Sequence, residues 1–391
     1  MTDLKVHRSS FANFISAIAL FSLSLENFGT IRYPISITFA LLSFIIIASK
    51  VKAIDRKSTF VYMFFLVITV ALTIVSSSNS FTYVSNIGYS GINFFFSMLL
   101  KLSVSFLIVI SLKNDKDALF KVITAVLLLH ISFFWIQFIT VYSTGVYLDP
   151  MNAIVGSRQR YGGSFSLPII GQIYRPTGFY EEPSTYSAFI VCMLAARFYV
   201  NKTVDKITWF SVFSIIFSFS VASIMYGFLI LGYLIFYHSK FNLKIIIAFI
   251  FPILVWLLFI VVEGRLNAVD NASSIREGLM DVVFNQPKSI VLFGNGMLGV
   301  PEPLAPYIRE GNLWRAGVAS LNDNGLWLFM IMKVGVLGLL SFLSLAIFKL
   351  KNKLNIFMFL VLIVTKLSFL YFYYVFYILV IFSADEDSQN D

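Results

Sequence analysis

The sequence is poor in the residues from which many catalytic and metal sites are built. It has one cysteine, Cys192, and three histidines in 391 residues. Because Cys192 is alone and lies inside an apolar segment, an intramolecular disulfide and a cysteine-based metal site are both excluded. Charged residues make up 13% of the chain, whereas soluble domains carry roughly a quarter. This shortage of charge excludes an ordinary soluble domain.

Long apolar stretches are what the chain has in abundance, since 58% of its residues are hydrophobic. A membrane-spanning helix needs roughly 20 mostly apolar residues. The sequence therefore predicts an all-α polytopic membrane protein, with residues 1–391 forming a single integral membrane domain. The predicted spans are 11–27, 31–48, 59–77, 92–112, 118–142, 184–199, 207–221, 223–237, 245–262, 323–347 and 354–383. The last region is one long tilted helix or two short ones broken near Lys366, which gives 11–12 transmembrane helices.

Basic residues in alternate loops predict the orientation. With the N-terminus in the cytoplasm, the cytoplasmic segments carry most of the lysines, as the positive-inside rule requires. These residues are Lys5, Arg8, Lys50, Lys52, Arg56, Lys57, Lys113, Lys116, Lys121, Arg197, Lys202, Lys206, Lys240, Lys244, Lys349, Lys351 and Lys353. The net charge of +9 is then explained by topology, so no nucleic-acid partner is expected. Two large loops, 143–183 and 263–322, face outwards, and an acidic C-terminal tail covers 384–391.

The basic residues of the two outer loops are mainly arginines. They are Arg158, Arg160, Arg175, Arg265, Arg276, Arg309 and Arg315, with the single lysine Lys288. One interpretation is that lysine is the default topogenic cation inside, but this does not explain arginine outside, where positive charge hinders translocation. The other is that several arginines bind a phosphate-bearing ligand, because the planar guanidinium binds phosphate bidentately and lysine does not.

One polar stretch between two apolar segments carries the most specific motif. Arg175-Pro-Thr-Gly-Phe-Tyr-Glu-Glu-Pro-Ser184, followed by Ala188, resembles the R-x-x-G-x-x-x-E-P-S signature of bacterial O-antigen and capsule repeat-unit polymerases of the Wzy type. Arg160 and Gly171 fit an R-x10-G pattern that members of this family also carry.

Further features resemble the same family, and one departs from it. Phe293–Gly299, Asn322–Gly325 and Gly335–Gly338 are similar to its glycine-rich turn and to the helix that closes its site. The helix hairpin after the motif often reads Ser-Arg-x-Gly in the family. Ser223–Gly227 here lacks that arginine, so a role for it cannot be carried over.

The resemblance implies a C-type glycosyltransferase that inverts the anomeric centre without a metal. Its substrate would be an undecaprenyl-diphosphate-linked oligosaccharide, polymerised into O-antigen or capsule on the periplasmic face of a bacterial cytoplasmic (inner) membrane. Partners would include membrane lipid and possible chain-length regulator and flippase proteins. No cofactor is expected: the outer loops contain no histidine and no Asp-x-Asp, so a divalent-ion site is not indicated.

Two other classes remain as alternatives. The related O-antigen ligases usually place a histidine before an asparagine at the end of the second outer loop, where this chain has Leu321-Asn322. A flippase or transporter of lipid-linked oligosaccharide would tend to show internal repeats and charged or broken helices near the midplane. The sequence shows no convincing repeat, and its polar residues concentrate in loops on one face.

The candidate ligands for the substrate pyrophosphate are basic. Arg175 comes first because it lies in the motif, and Arg160, Arg276 and Arg309 follow. Guanidinium groups at the leaving group would stabilise the negative charge that develops in the transition state. The alternative for Arg175 is an interfacial anchor at a helix end. Ionisable groups inside a membrane usually face a cavity or a partner, so Lys101 either binds the lipid phosphates or lines the bundle interior.

Glu182 is the candidate general base that accepts a proton from the acceptor hydroxyl. It is equally well explained as a helix start, because Pro183 suits the first helical position and a carboxylate faces the positive end of the helix dipole. Asp323, which enters a membrane helix after the second loop, is the rival base. Glu181 is interpreted as solvated or paired with Arg175, and Gly178 and Pro183 as turn residues.

Overall fold

The computed structural model describes residues 2–29, 32–48, 56–77, 84–86, 91–160, 166–167, 171–238, 272–316, 318 and 320–384. These residues are mostly helical, as the sequence predicts. The helices are α1 Thr2–Ser24, α2 Arg32–Ala48, α3 Arg56–Ser77, α4 Gly91–Leu112, α5 Lys116–Thr144, α6 Pro150–Val155, α7 Pro183–Val200, α8 Lys206–Ile216, α9 Val221–His238, α10 Ala272–Phe284, α11 Lys288–Phe293, α12 Ala305–Arg309, α13 Leu326–Lys349, α14 Lys353–Val364 and α15 Phe372–Ser383.

Short antiparallel strand pairs supplement the helices in the connecting segments. Strand β1, Val84–Asn86, pairs with β4, Gly299–Pro301, and β2, Ser166–Leu167, pairs with β3, Gly171–Gln172. The β2–β3 pair lies in the first predicted outer loop, directly before the motif. The predicted span 245–262 and the tail beyond Ala384 lie outside the described residues.

The chain divides into two compact units, each discontinuous in sequence. The first unit comprises Met1–Val126, Cys192–Thr203 and Ile275–Asp391, and the second comprises Leu127–Val191 and Val204–Ser274. Helices α5 and α7 each contribute residues to both units. This clustering does not test the prediction of a single membrane domain.

Helices of membrane-spanning length and composition are present among the described residues. Ile92–Leu112, Lys116–Thr144 and Leu326–Lys349 meet both criteria, and the other apolar helices have shorter described stretches. Several of these helices expose large apolar side chains: Phe348 is 89% exposed and Phe60 is 71% exposed. Exposure of that kind is costly in water and favourable against lipid tails. The protein is therefore a helical membrane protein.

Helices α1 and α2 pack through small residues in the first unit. Ala12, Ala19 and Leu23 of α1 are buried at spacings that place them on one helix face. On the same side, the hydroxyls of Ser16 and Ser43 lie 2.5 Å apart, and Ser43 also donates to the Ala12 carbonyl. Small and hydroxyl-bearing residues let membrane helices approach closely and hydrogen-bond across the contact.

The last apolar region is two helices, which confirms the break predicted near Lys366. Helix α14 ends at Val364 and α15 begins at Phe372. The hairpin of α8 and α9 in the second unit has its turn a few residues earlier in the chain than the sequence predicts. Helix α8 ends at Ile216 and α9 begins at Val221. The predicted spans 207–221 and 223–237 leave the turn near residue 222, whereas Phe219, with φ of 52°, lies at the turn in the structure.

Helix α13 is broken at Gly335, although its hydropathy is continuous. Gly335 has φ of 74° and ψ of 176°, and a Cβ there would overlap the Leu292 carbonyl. The break frees carbonyls of the preceding turn, and the segment after α11 binds them: Asn295 N donates to Met332 O at 2.8 Å, and Gly296 N donates to Lys333 O at 2.9 Å. The gap in the helix is therefore filled by backbone from the second predicted outer loop.

Replacing Gly335 by alanine is expected to destabilise the protein by roughly 2 kcal/mol or more. The new Cβ meets backbone rather than a flexible side chain, and the left-handed conformation adds strain. The apparent melting temperature can be followed with a thiol-reactive dye, because the single cysteine, Cys192, is buried and reacts on unfolding.

Gly232→Ala in α9 is the matched control. Nothing lies within 4 Å of its Cβ position and its backbone is helical, so alanine should be neutral or slightly stabilising there. Equal melting temperatures for the two variants would contradict the assignment of Gly335 as a packed break.

Candidate functional site

The motif loop joins strand β3 to helix α7 in the second unit. Gly178 lies at its centre with φ of 60°, a conformation that glycine adopts without a Cβ penalty. An added Cβ would lie 2.9 Å from the Tyr186 ring, so the position has no room for a side chain. Helix α7 begins at Pro183, whose fixed φ suits the first helical residue.

Two buried glutamines hold this loop. Gln137 of α5 accepts hydrogen bonds at Oε1 from Thr177 N (3.3 Å) and Gly178 N (2.8 Å). Gln159 Nε2 donates to the carbonyls of Gly178 and Tyr180, both at 2.9 Å. Sequence analysis did not single out either glutamine. For Gln137 the available signal was its position in a largely apolar stretch of α5. Burying a side-chain amide costs free energy unless its hydrogen bonds are satisfied.

Four charged side chains of the motif and of the preceding segment form one cluster. Arg160 pairs with both carboxylates: Nη1 contacts Glu182 Oε1, and Nη2 lies 3.0 Å from Glu181 Oε1. The backbone completes the arrangement, because Arg160 N donates to Glu181 O at 2.8 Å. Glu181 thus pairs with Arg160, whereas the sequence interpretation had it solvated or paired with Arg175.

Arg175 is placed differently from Arg160. Its Nη2 donates to the Arg160 carbonyl at 3.2 Å, and its Nε is buried without a hydrogen-bond partner. Burial lowers the pKa of the Arg175 guanidinium, and the nearby Glu182 carboxylate opposes that shift. Arginine remains charged at neutral pH in proteins. The cluster therefore holds one guanidinium engaged by two carboxylates and a second with donor capacity to spare.

Glu182 occupies the start of α7. Its carbonyl accepts the first helical hydrogen bond, from Tyr186 N at 3.1 Å. Its carboxylate is 18% exposed, pairs with Arg160 and accepts from Ser184 Oγ at 3.3 Å. The geometry is compatible with a helix start, and the carboxylate lies near the Arg175 guanidinium.

The remaining predicted site residues belong to the first unit. Lys101 is buried on α4, where Nζ donates to Leu370 O at 2.7 Å and lies 3.5 Å from Glu26 Oε2. Glu26 also pairs with Arg32 at 2.9 Å. Lys101 is thus part of a buried charged network, and its assignment as a phosphate ligand stays a prediction.

Asp323 pairs with Lys366 in the same unit. The distance from Asp323 Oδ1 to Lys366 Nζ is 2.5 Å, and both side chains are nearly buried. Arg276 and Arg309 are exposed; the carbonyl of Arg276 accepts from Asn324 Nδ2 at 2.8 Å. Their roles as phosphate ligands and the role of Asp323 as a base stay predictions. Arg265 lies outside the described residues.

Two of the glycine motifs, Phe293–Gly299 and Gly335–Gly338, lie at the same place in the first unit. At the break in α13, Gly294 lies against the backbone of Lys333 and Val334, and Gly335 lies against the backbone of Leu292 and Phe293. Asn295 fixes the contact further, because Nδ2 donates to Met332 O and its amide pairs with Gln286. Buried beside the break, Lys333 donates to Gly299 O at 2.6 Å.

Within the described part of the chain, no three His, Cys, Asp or Glu side chains form a group that could hold a metal ion. His130 of α5 is buried among the rings of Phe179, Tyr180 and Phe189.

Comparisons with known proteins return no match: no family model, no curated protein and no solved structure is similar to this chain.

Asp323→Asn is expected to lower the free energy of unfolding by about 2 kcal/mol, because it leaves a nearly buried ammonium without its carboxylate. Combining it with Lys366→Met removes both charges and should recover most of the loss. The Cys192 dye assay measures both variants. A single variant as stable as the wild type, or a double variant no better than the single, would show that this ion pair contributes nothing.

Proposed function

We propose that the protein is a repeat-unit polymerase of the Wzy type, a C-type glycosyltransferase with 11–12 transmembrane helices. It joins undecaprenyl-diphosphate-linked oligosaccharides on the outer face of a bacterial cytoplasmic membrane. The observation that carries the proposal is Arg175, a half-buried guanidinium with an unbonded Nε, held beside Glu182 in the loop that bears the motif. The orientation predicted from the loop charges puts this loop on the outer face.

The arrangement suits a diphosphate leaving group. A guanidinium fork binds two phosphate oxygens bidentately, and Arg175 has a nitrogen, Nε, that has no hydrogen-bond partner in the protein. Arg160 lies next to it, 47% exposed and able to turn towards an incoming anion. Positive charge at the leaving group stabilises the transition state more than the ground state, since negative charge builds on the oxygen as the bond breaks.

In the proposed reaction a hydroxyl oxygen of the newly delivered unit attacks the anomeric carbon of the growing chain. The bond from that carbon to the diphosphate oxygen breaks, and its electron pair leaves on the lipid diphosphate. The hydroxyl proton passes to the Glu182 carboxylate. Attack from the face opposite the leaving group inverts the anomeric centre.

The ion pair between Arg160 and Glu182 is then part of the cycle. A carboxylate held by a guanidinium accepts a proton less readily than a free one. When the diphosphate arrives, it competes for Arg160 and weakens that pair, so Glu182 becomes a better base only with substrate present.

Deleting the gene is expected to leave cells that make surface glycan with a single repeat unit on each acceptor. The enzyme that transfers finished glycan is still present in such cells, but chains no longer grow. Gel electrophoresis of the extracted glycan measures the distribution of chain lengths. A full ladder in the deletion strain would overturn the proposal, whereas loss of all surface glycan, single units included, would point to a ligase or a flippase.

Arg175→Lys is expected to reduce chain growth nearly as much as Arg175→Ala, by roughly a hundredfold, because the fork and not the charge alone is needed. Both variants are compared in the complemented deletion strain at matched protein levels. Arg315→Lys and Arg315→Ala serve as controls, since Arg315 is exposed and pairs with Glu310 at 3.4 Å. Wild-type chain growth in Arg175→Lys would rule out bidentate recognition.

A further inference from the structure

We propose that Gln137 and Gln159 are positioning residues that fix the Arg160 and Arg175–Glu182 segments in their working geometry. The part that concerns catalysis rests on the proposed function. The geometric part, a tether of the motif loop to α5 through these two amides, stands on the hydrogen bonds alone.

The hydrogen-bonding groups of the Gln137 amide are all directed at backbone or at the other glutamine. Its Oε1 accepts two N–H groups of the motif loop, and its Nε2 donates to Leu148 O at 2.7 Å and to Gln159 Oε1 at 3.1 Å. Nε2 also lies 3.2 Å from Gly178 O. A flipped amide would set its NH₂ against two N–H donors, so the partners fix its orientation. Gln137 is fully buried, where such an amide is costly unless it is satisfied.

Gln159 extends the tether to the second charged segment. Its side chain binds the carbonyls of Gly178 and Tyr180, and its own N–H donates to Asp149 Oδ2 at 2.9 Å. The next residue is Arg160, whose N–H and carbonyl bind Glu181 O and Arg175 Nη2. The pair of amides thus fixes the backbone on both sides of the charged cluster.

Gly178 is the point at which both glutamines act. Its N–H is bound by Gln137 and its carbonyl by both side chains, while Tyr186 closes the space where a side chain would lie. The two glutamines therefore hold the loop through its backbone and do not bind the side chains of Arg175 and Glu182. A displacement of about 1 Å in such groups can cost on the order of a hundredfold in rate.

Hydrogen–deuterium exchange of purified protein tests the tether without reference to activity. In Gln137→Met, which keeps the length but loses every hydrogen bond, the Thr177 and Gly178 amides should exchange at least roughly tenfold faster than in the wild type. In Gln159→Met these two amides should stay protected, because Gln137 still binds them. Gln172→Met is the control, since Gln172 is exposed on β3, and should change neither amide. Unchanged exchange in Gln137→Met overturns the tether.

Kinetics then separate positioning from bulk stability. With lipid-linked repeat units as the substrate, and at a temperature below the dye-measured melting transition of each variant, Gln137→Met and Gln159→Met are expected to lose on the order of a hundredfold in kcat while KM changes little. Faster exchange with a wild-type kcat overturns the positioning role. Should Gln137→Met fail to fold, Gln159→Met is used in its place. Faster exchange is then expected at the Arg160 amide, which donates to the Glu181 carbonyl, and the same two criteria apply. Absence of chain growth by the wild-type protein would overturn the proposed function instead, leaving the exchange result to decide the tether.

Discussion

Non-helical backbone inside an apolar protein must find its hydrogen-bond partners within the protein, because neither lipid nor apolar side chains supply them. Two segments of this chain meet that constraint in the same way. Gln137 binds the amides of the motif loop, and Asn295 binds a carbonyl exposed by the break at Gly335. In both places a side-chain amide hydrogen-bonds backbone groups that have no helical partner. Both places also contain a glycine with positive φ and no room for a Cβ: Gly178 lies against the Tyr186 ring, and Gly335 lies against the backbone of Leu292.

The same constraint governs charge. Buried ions are costly unless they are paired, and Glu26 accordingly contacts both Arg32 and Lys101, while Asp323 pairs with Lys366. The Nε atoms of Arg175 and Arg32 are both buried without a hydrogen-bond partner, but Arg32 pairs with Glu26, whereas Arg175 Nη2 binds the Arg160 carbonyl. Under the proposed function, an anionic ligand would supply the acceptor that Arg175 lacks.

The sequence predicted the helical character of the chain well, because long apolar runs leave few alternatives to a membrane helix. The break in the last apolar region was also predictable, since Lys366 interrupts its hydropathy. The break at Gly335 was not, because the contact that requires a glycine there comes from Leu292, far away in sequence, and the adjacent Val334 and Val336 continue the apolar run.

Contacts between side chains were harder to predict from the sequence than helices were. The motif spacing placed Glu181 and Glu182 beside Arg175, but the partner of both carboxylates is Arg160, which a strand pair brings back along the chain. Gln137 was overlooked for a similar reason: its partners are 40 and 41 residues away, and no local pattern records them. Sequence spacing thus singled out four charged residues that the structure brings together, but not the amides that hold their backbone.

Under the proposed function, the interpretations of Glu182 as a base and as a helix start are compatible. Glu182 lies directly before α7, at the positive end of the helix dipole, and pairs with Arg160, so both neighbours favour its negative charge. Ionisation is what a base requires, but the same stabilisation makes it a poor proton acceptor. Only the loss of one of these interactions during the reaction resolves the conflict. The dipole is fixed by the fold, whereas Arg160 is half exposed and can move, so the ion pair is the element that substrate binding would change.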